Sequence, residues 1–425
     1  MITPSFAITA TERVLPRLAL DFTTASLDSR ITLTRTGNTA TVTNSSGYVV
    51  PINADLPRFD YNPTTLACNG LLIEETRTNV ATYSEDFLNT ATAGSARPWI
   101  WTRSTVTPDA AIAPSNIQVA DKIVEDTSTG THFISVVPAF TSGATYSYSI
   151  YAKASERSVL VLQLQTSAFN TTPTVWFNLA AGTVSKTTGT STNTITPVGN
   201  GWYRCSVVAT ATATVSATIY HYLDISPTGS ASYTGNGTSG LFIWGAQLET
   251  GMFPTSYIPT VASQVTRAPD EVSMTGTNFS NWFNSSEGAF FVQANTLTLG
   301  TASAVYAGVN GVANDNNRIQ IAYANASASC IYRISANGVA ANPANTLATK
   351  TGFKAVLAYK VGTDQAAGSS DASTPTTSSP VALPVLDALL IGKNSSNGLY
   401  LNGILQKISY WPQRLINAEV QAFSK

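Results

Sequence analysis

Apolar residues at alternate positions recur through the middle of the chain. Tyr146, Tyr148, Ile150 and Ala152 share one face of an extended segment, against Ser147, Ser149 and Tyr151 on the other. Leu160, Leu162 and Leu164 repeat the pattern, as do Val175, Phe177 and Leu179, then Tyr203, Cys205 and Val207, then Ala217, Ile219, His221 and Leu223. A period of two is the signature of a half-buried strand, and the Gly, Pro, Asn and Ser clusters between these runs read as turns. No comparable stretch repeats every 3.6 residues. The pattern predicts an all-β fold, with residues 85–260 forming an antiparallel sandwich of jelly-roll type. Residues 235–259 read as the closing strand of that unit. A run from Leu241 to Trp244 passes into an alternation that puts Trp244, Ala246 and Leu248 on one side and Gly245, Gln247 and Glu249 on the other. Pro254 and Pro259 follow; neither can donate to a sheet ladder, so an exit linker is expected there.

The flanks read as further β structure. In residues 1–84, expected to form a small N-terminal attachment region, Ile31 and Leu33 alternate with threonines. Gly37-Asn38 gives a turn signal and Ala40 and Val42 resume the alternation, which predicts a hairpin. Glu74, Glu75 and Arg77 lie beside the apolar Leu71-Leu72-Ile73, where an exposed ion pair would contribute only ~0–1 kcal/mol. Residues 261–285 read as a linker to a second sandwich over 286–425, with strands expected at 289–294, 318–323, 330–335, 353–360, 386–391 and 399–410. The low-complexity stretch 366–380 reads as a surface loop. Asn417 as N-cap, with Ile416, Val420 and Phe423 at helical spacing, predicts a short C-terminal helix packed on the sandwich.

Composition narrows the function. The 425 residues are enough for roughly two or three domains, and only 11% are charged, under half the usual ~25%. A net charge of -1 and a pI near 6.1 leave no basic excess for phosphates, so no nucleic-acid partner is expected. Cys68, Cys205 and Cys330 are scattered, which argues against a disulfide framework and a zinc site, and no cofactor is expected. No apolar run approaches the ~18 residues of a membrane span, and the start Met1-Ile2-Thr3-Pro4 lacks the basic and apolar parts of a signal peptide. The expectation is folding in a reducing cytoplasm, with no membrane partner.

Groups suited to catalysis are few. His132 and His221 are the only histidines, and the second lies among Tyr220, Tyr222 and Leu223 on a strand, where a structural role is expected. Glu74-Glu75, Glu85-Asp86 and Asp270-Glu271 are neighbours in sequence. On a strand such neighbours point to opposite faces, so no one pair can flank a glycosidic bond. Gly235-Asn236-Gly237 and Gly308-Val309-Asn310-Gly311 read as turns rather than phosphate cradles. Trp99 and Trp101 are two apart and share a face if on a strand, which makes them the candidate carbohydrate-binding residues, a stacking platform for a sugar. The same spacing fits a place in the core or at a subunit interface.

Five blocks in order, spanning roughly residues 55–270, resemble a widespread group of tailed-phage virion proteins. They are the stretch from Gly70 to Asn79 with Tyr83 to Phe87, Tyr151-Ala152-Lys153-Ala154, the stretch from Phe177 to Val184, the stretch from Gly199 to Cys205, and Trp244 to Glu249 continuing through Phe253 to Pro259. The resemblance implies a carbohydrate-binding-module-like jelly roll used in fibres, spikes or head decorations. The last region, through Leu401 to Leu415 and Asn417-Ala418-Glu419, is similar to concanavalin A-like, laminin-G-like sandwiches. Glucanases of that superfamily carry a Glu-x-Asp-x-Glu strand that this sequence lacks. The expected function is a non-enzymatic structural virion protein, a tail or head fibre or a capsid decoration, that contacts host-surface glycans and other virion proteins. By analogy with fibres it is expected to be a homotrimer. The alternatives are a polysaccharide depolymerase and a capsid or tail cement protein with no sugar site.

Overall fold

The computed structural model describes residues 15–425 apart from 38–39, 95, 230, 297–303, 311–315, 325–328, 342–343, 347–351 and 396–398. The regular secondary structure of the described residues is almost entirely antiparallel sheet, arranged as two sandwiches.

The first sandwich follows the alternating pattern closely. Its six-stranded sheet runs in the order Thr192–Pro197, Trp202–Thr210, Thr145–Ala154, Gly240–Thr250, Gln118–Glu125, Ser104–Ile112. The facing sheet runs Thr183–Thr188, Thr174–Asn178, Val159–Leu164, Ile219–Asp224, Thr129–Val136, Ser232–Thr234, with Ile100–Thr102 also beside Thr129–Val136. The inward side chains expected from the sequence, among them Tyr148, Ile150, Leu160, Leu162, Phe177, Cys205, Val207, Ile219 and Leu223, form one buried cluster. Each aliphatic or aromatic side chain so buried contributes ~1.5–3 kcal/mol, which makes this layer the main source of the unit's stability.

The second sandwich draws on both ends of the chain. Gly403–Trp411 pairs with Glu287–Thr296 and also with Leu18–Asp21 and Cys68–Ile73. In the other sheet Thr32–Thr34 pairs with Glu271–Thr275, which pairs with Ala388–Ile391. Leu18, Leu20, Ile31, Leu33, Leu71 and Ile73 therefore share a core with Val272, Met274, Phe290, Leu357 and Ile408. The jelly roll is inserted between the two chain segments that build this sandwich. Its entry and exit, Arg77–Asn79 and Val265–Arg267, lie side by side as an antiparallel pair.

Strand pairing thus runs across the boundaries expected at 84, 260 and 285. Leu18–Asp21, Thr32–Thr34, Phe59–Tyr61 and Cys68–Ile73 complete the later sheets, because their apolar side chains fit that core. Residues 261–285 are no free linker: Val272, Met274, Phe279 and Trp282 are buried. The hairpin near residue 40 is Ala40–Thr43 with Val49–Ile52, and Ile31 and Leu33 turn instead into the sandwich. The low-complexity stretch contains a buried strand, Ala366–Ser370. A Cβ at Gly368 would lie 2.3 Å from the Tyr332 ring, so the small residues there are a packing requirement and not a sign of a surface loop.

The C-terminal helix is Asn417–Phe423, with its N-cap at Ile416, one residue earlier than expected. The Glu419 carboxylate accepts from the Ile416 N–H at 2.9 Å, and Asn417 accepts from Arg414 instead. Val420 is buried against Trp411 and Leu415, whereas Ile416 is 60% exposed.

Candidate functional site

The closing strand of the jelly roll organises the junction of the two sandwiches. Gly245 has φ +64°, and a Cβ there would meet the Tyr151 ring at 2.8 Å. The ladder between Gly240–Thr250 and Thr145–Ala154 slips at this point, between Ser149 and Tyr151. The bulge moves Trp244 to the outer side, away from the core that holds Ala246 and Leu248, where simple alternation put all three together. Beyond Gly251 the chain does not leave. Gln247 receives the Ile258 N–H at 2.7 Å and donates to Thr255 and Ser256 carbonyls, while Glu249 accepts the Thr255 N–H at 2.9 Å. Asn79 donates to Ala246 O and Ile258 O and accepts from the Ala81 and Leu248 N–H groups. The expected exit linker is a strap held over the sheet, and Gln247 and Glu249 beneath it are fully buried.

Below the strap lies a buried charge cluster of Arg35, Arg58, Arg267, Glu74 and Asp270, none more than 2% exposed. Arg35 pairs with Asp270 at 2.8 Å, Arg58 with Glu74 at 2.7 Å and also with Asp270, and Arg267 reaches Glu74 at 3.5 Å. Ser256 of the strap donates its N–H and hydroxyl to Glu74 at 2.7 and 2.6 Å. The ion pair foreseen at this place divides in two: Arg77 binds the half-buried Glu75, and Glu74 turns inward. Burial alone would raise the Glu74 carboxyl, but Arg267, Arg58 and the Ser256 bonds outweigh it and hold the group at about 2 against an ordinary 4.5. A folded-state pKa below the unfolded one contributes stability above the unfolded value and loses it as pH falls through the folded one. Acidification from pH 4.5 towards 2 is therefore expected to remove on the order of 3 kcal/mol. Urea unfolding midpoints at pH 7, 4.5 and 3 check this; equal midpoints at pH 4.5 and 3 would contradict it.

Beside the cluster a cleft of about 750 Å³ opens between the sandwiches. The edge strand Thr192–Pro197 presents the exposed Thr192, Thr194 and Thr196 to it, and the strap presents Phe253 and Pro254. Asp60 and Asn69 line it from the second sandwich, with Asn69 donating to the Asp60 carboxylate at 3.0 Å. Asp60 has no basic partner within 4 Å among the described residues, and burial pushes its carboxyl up. Tyr151 lines the cleft at 3% exposure, and its hydroxyl makes no hydrogen bond to a described residue. Arg204 lies over the Tyr151 ring at 5.4 Å and donates to Thr255 O and Ser149 Oγ.

The tryptophans singled out by sequence lie elsewhere. Trp99 and Trp101 do share a face, but it is the inward one. Trp99 is 1% exposed, packs on Phe87 at 4.7 Å between ring centres and donates its indole N–H to Tyr83 O. Trp101 is half-buried against the same core and donates to Phe87 O at 2.9 Å. A buried indole has no face for a sugar, so Trp99 is corrected to a core residue, and the structure does not make a platform of the pair. Both histidines are fully buried. His221 meets the Tyr148 hydroxyl and is pushed down to about 4 by burial, and His132 meets Arg103 O. Among the described residues no group of His, Cys, Asp and Glu is arranged to hold a metal ion, and no helix is long and apolar enough to cross a membrane. Sequence reasoning missed Asp60, Asn69, Tyr151 and the threonine edge, which are far apart in the chain and carry no local signature.

No protein-family model and no curated protein sequence matches this chain. Among solved structures, the chain aligns with the CBM40 of Ruminococcus gnavus IT-sialidase bound to alpha2,3 sialyllactose at 11% identity and TM-score 0.31, covering 35% of this chain and 88% of that one. Mouse laminin alpha1 domains LG4-5 align at 8% identity and TM-score 0.23, over 64% of this chain and 84% of that one. Trypanosoma rangeli sialidase in complex with the inhibitor DANA aligns at 9% identity and TM-score 0.27, over 71% and 60%. Superpositions this loose carry no argument, and the fold rests on the strand pairing itself.

Proposed function

We propose that this chain is a non-enzymatic structural protein of a tailed-phage particle, a fibre or surface decoration, that contacts host-surface glycans through the cleft between its sandwiches. The observation that carries the glycan reading is the cleft itself. Its volume lies within the usual 300–1,000 Å³ of small-ligand sites, and hydroxyl, amide, carboxylate and aromatic groups converge on it. The particle assignment is supported by the sequence blocks between residues 70 and 259 and by the low charge. Weak contacts repeated over many copies, in a homotrimer or a larger array, would supply avidity without new contacts.

A depolymerase is the second reading, favoured by the raised Asp60 carboxyl at the edge of a cleft. Glycoside hydrolysis needs two carboxylates that reach the bond. Glu74, the other carboxylate of the cleft, is 0% exposed and engaged by Arg58 and Ser256, which supports binding over cleavage.

The test is a glycan array probed with the full chain beside Thr196→Trp, which adds bulk at an exposed cleft position without removing a core contact, together with a reducing-end assay. The expected result is binding by the wild type, at least tenfold weaker binding by Thr196→Trp, and no sugar released. Release of reducing ends would establish the depolymerase, and silence on all glycans would leave a cement protein.

A further inference from the structure

We propose that Tyr151 and Asp60 are the polar anchors of the cleft and that they select a neutral saccharide, Asp60 accepting hydrogen bonds from a vicinal diol and Tyr151 donating to another oxygen of the same sugar. This inference rests on the glycan-binding reading above and names the class of sugar.

Two unmet hydrogen-bonding groups carry it. The Tyr151 ring is held on three sides, by Trp244 at 5.1 Å, Tyr257 at 6.0 Å and Arg204, while its hydroxyl, on the cleft wall, makes no hydrogen bond to a described residue. The ring occupies this place because residue 245 is glycine; any side chain there would strike it. The glycine of this bulge thus leaves room for a ring that puts an unbonded hydroxyl on the wall of a cleft.

Asp60 is the complementary case. An ionised carboxylate has about four acceptor positions. Asp60 has Asn69 on one oxygen and a long 3.4 Å bond from the Thr43 N–H on the other. Glu74 and Arg58 act on it electrostatically without touching it, and its own charge acts on the Tyr151 hydroxyl, which places the two in one field. An acceptor with free positions near an idle donor suits a polyol, which offers both roles in one rigid ring.

Charge then separates neutral from acidic sugars. A uronate or sialate would bring a carboxylate to a wall that carries Asp60, which makes no ion pair with a described residue, whereas Glu74 is already paired with Arg58 and Arg267. Arg58 and Arg267 are engaged by Glu74 and Asp270 within the buried cluster, and Arg204 directs its donors at Ser149 and Thr255. A neutral diol meets no such repulsion.

The experiment measures binding of the full chain to immobilised neutral, sialylated and uronate-bearing oligosaccharides, for the wild type, Tyr151→Phe, Asp60→Asn and Thr196→Trp. Tyr151→Phe removes only an unbonded hydroxyl, so its unfolding midpoint is expected to be unchanged or raised while affinity for neutral probes falls about tenfold. Asp60→Asn is expected to lose at least as much affinity. Binding abolished by Thr196→Trp yet intact in both Tyr151→Phe and Asp60→Asn would overturn the anchors and leave the cleft standing. Preference for sialylated or uronate probes would overturn the neutral class. Binding unaffected by Thr196→Trp, or no binding to any probe, would overturn the glycan-cleft reading and this inference together.

Discussion

Asp270→Ala is expected to destabilise the protein by about 3–5 kcal/mol, the usual result of removing one partner from a buried ion pair. Asp270 accepts from Arg35 at 2.8 Å, from two nitrogens of Arg58 and from the Glu74 N–H at 2.9 Å. Without it three buried guanidinium groups are left with Glu74 as the one carboxylate of the cluster, at positions no more than 2% exposed. Arg35, Arg58 and Glu74 precede the inserted jelly roll and Arg267 and Asp270 follow it, so the cluster ties together the chain on both sides of the crossing. The loss is therefore expected to loosen the junction as well as the second sandwich. Urea unfolding followed by tryptophan fluorescence measures it, and a loss below about 1 kcal/mol would show that the cluster is solvated and not a staple.

Trp99→Ala is the second large effect, an expected cost of about 3–5 kcal/mol from a lost aromatic core side chain and the cavity it leaves. Trp99 packs against Phe87 and, edge-on, against His221 at 5.6 Å, in the centre of the jelly-roll core. The folded fraction is expected to bind glycans like the wild type, since the indole does not reach solvent. Trp101→Ala, at a half-buried position, is expected to cost less. A Trp99→Ala protein of full stability that has lost glycan binding would reverse this assignment and return the pair to the surface.

The contrast between those tryptophans and the cleft shows what the chain reveals by inspection. Period-two alternation marked the strands well, because it reports which side chains share a face: Tyr148 with Ile150, Leu160 with Leu162, Cys205 with Val207. It does not report what covers the opposite face. Gln247 and Glu249 look like solvent-side residues of a half-buried strand, yet both are fully buried, because a segment six to eleven residues further on folds back over them. Glu74 misleads in the same way, its partners Arg58, Ser256 and Arg267 lying at separations no local pattern can show. The stretches from Gly70 to Asn79 and from Trp244 to Pro259, which carry much of the sequence resemblance, meet at this junction.

Two further misreadings have simple physical causes. The run of small residues over 366–380 suggests a loop by composition, yet at 366–370 the bulk of Tyr332 demands small residues in a buried strand. The insertion of one sandwich in the other was invisible, because Leu18–Asp21 and Cys68–Ile73 find their partner strand more than 300 residues away, at Gly403–Trp411. Short alternating segments near a chain start are compatible with any sheet that has a free edge and a matching core.

The most direct test of the account is the location of a bound sugar. A crystal structure of the full chain with the oligosaccharide that binds most tightly on the array is predicted to show it between Asp60 and Thr196, with one oxygen on the Tyr151 hydroxyl. A sugar seated elsewhere, for instance on the outer jelly-roll face around the half-buried Tyr220 and Tyr222, with the cleft empty, would contradict it.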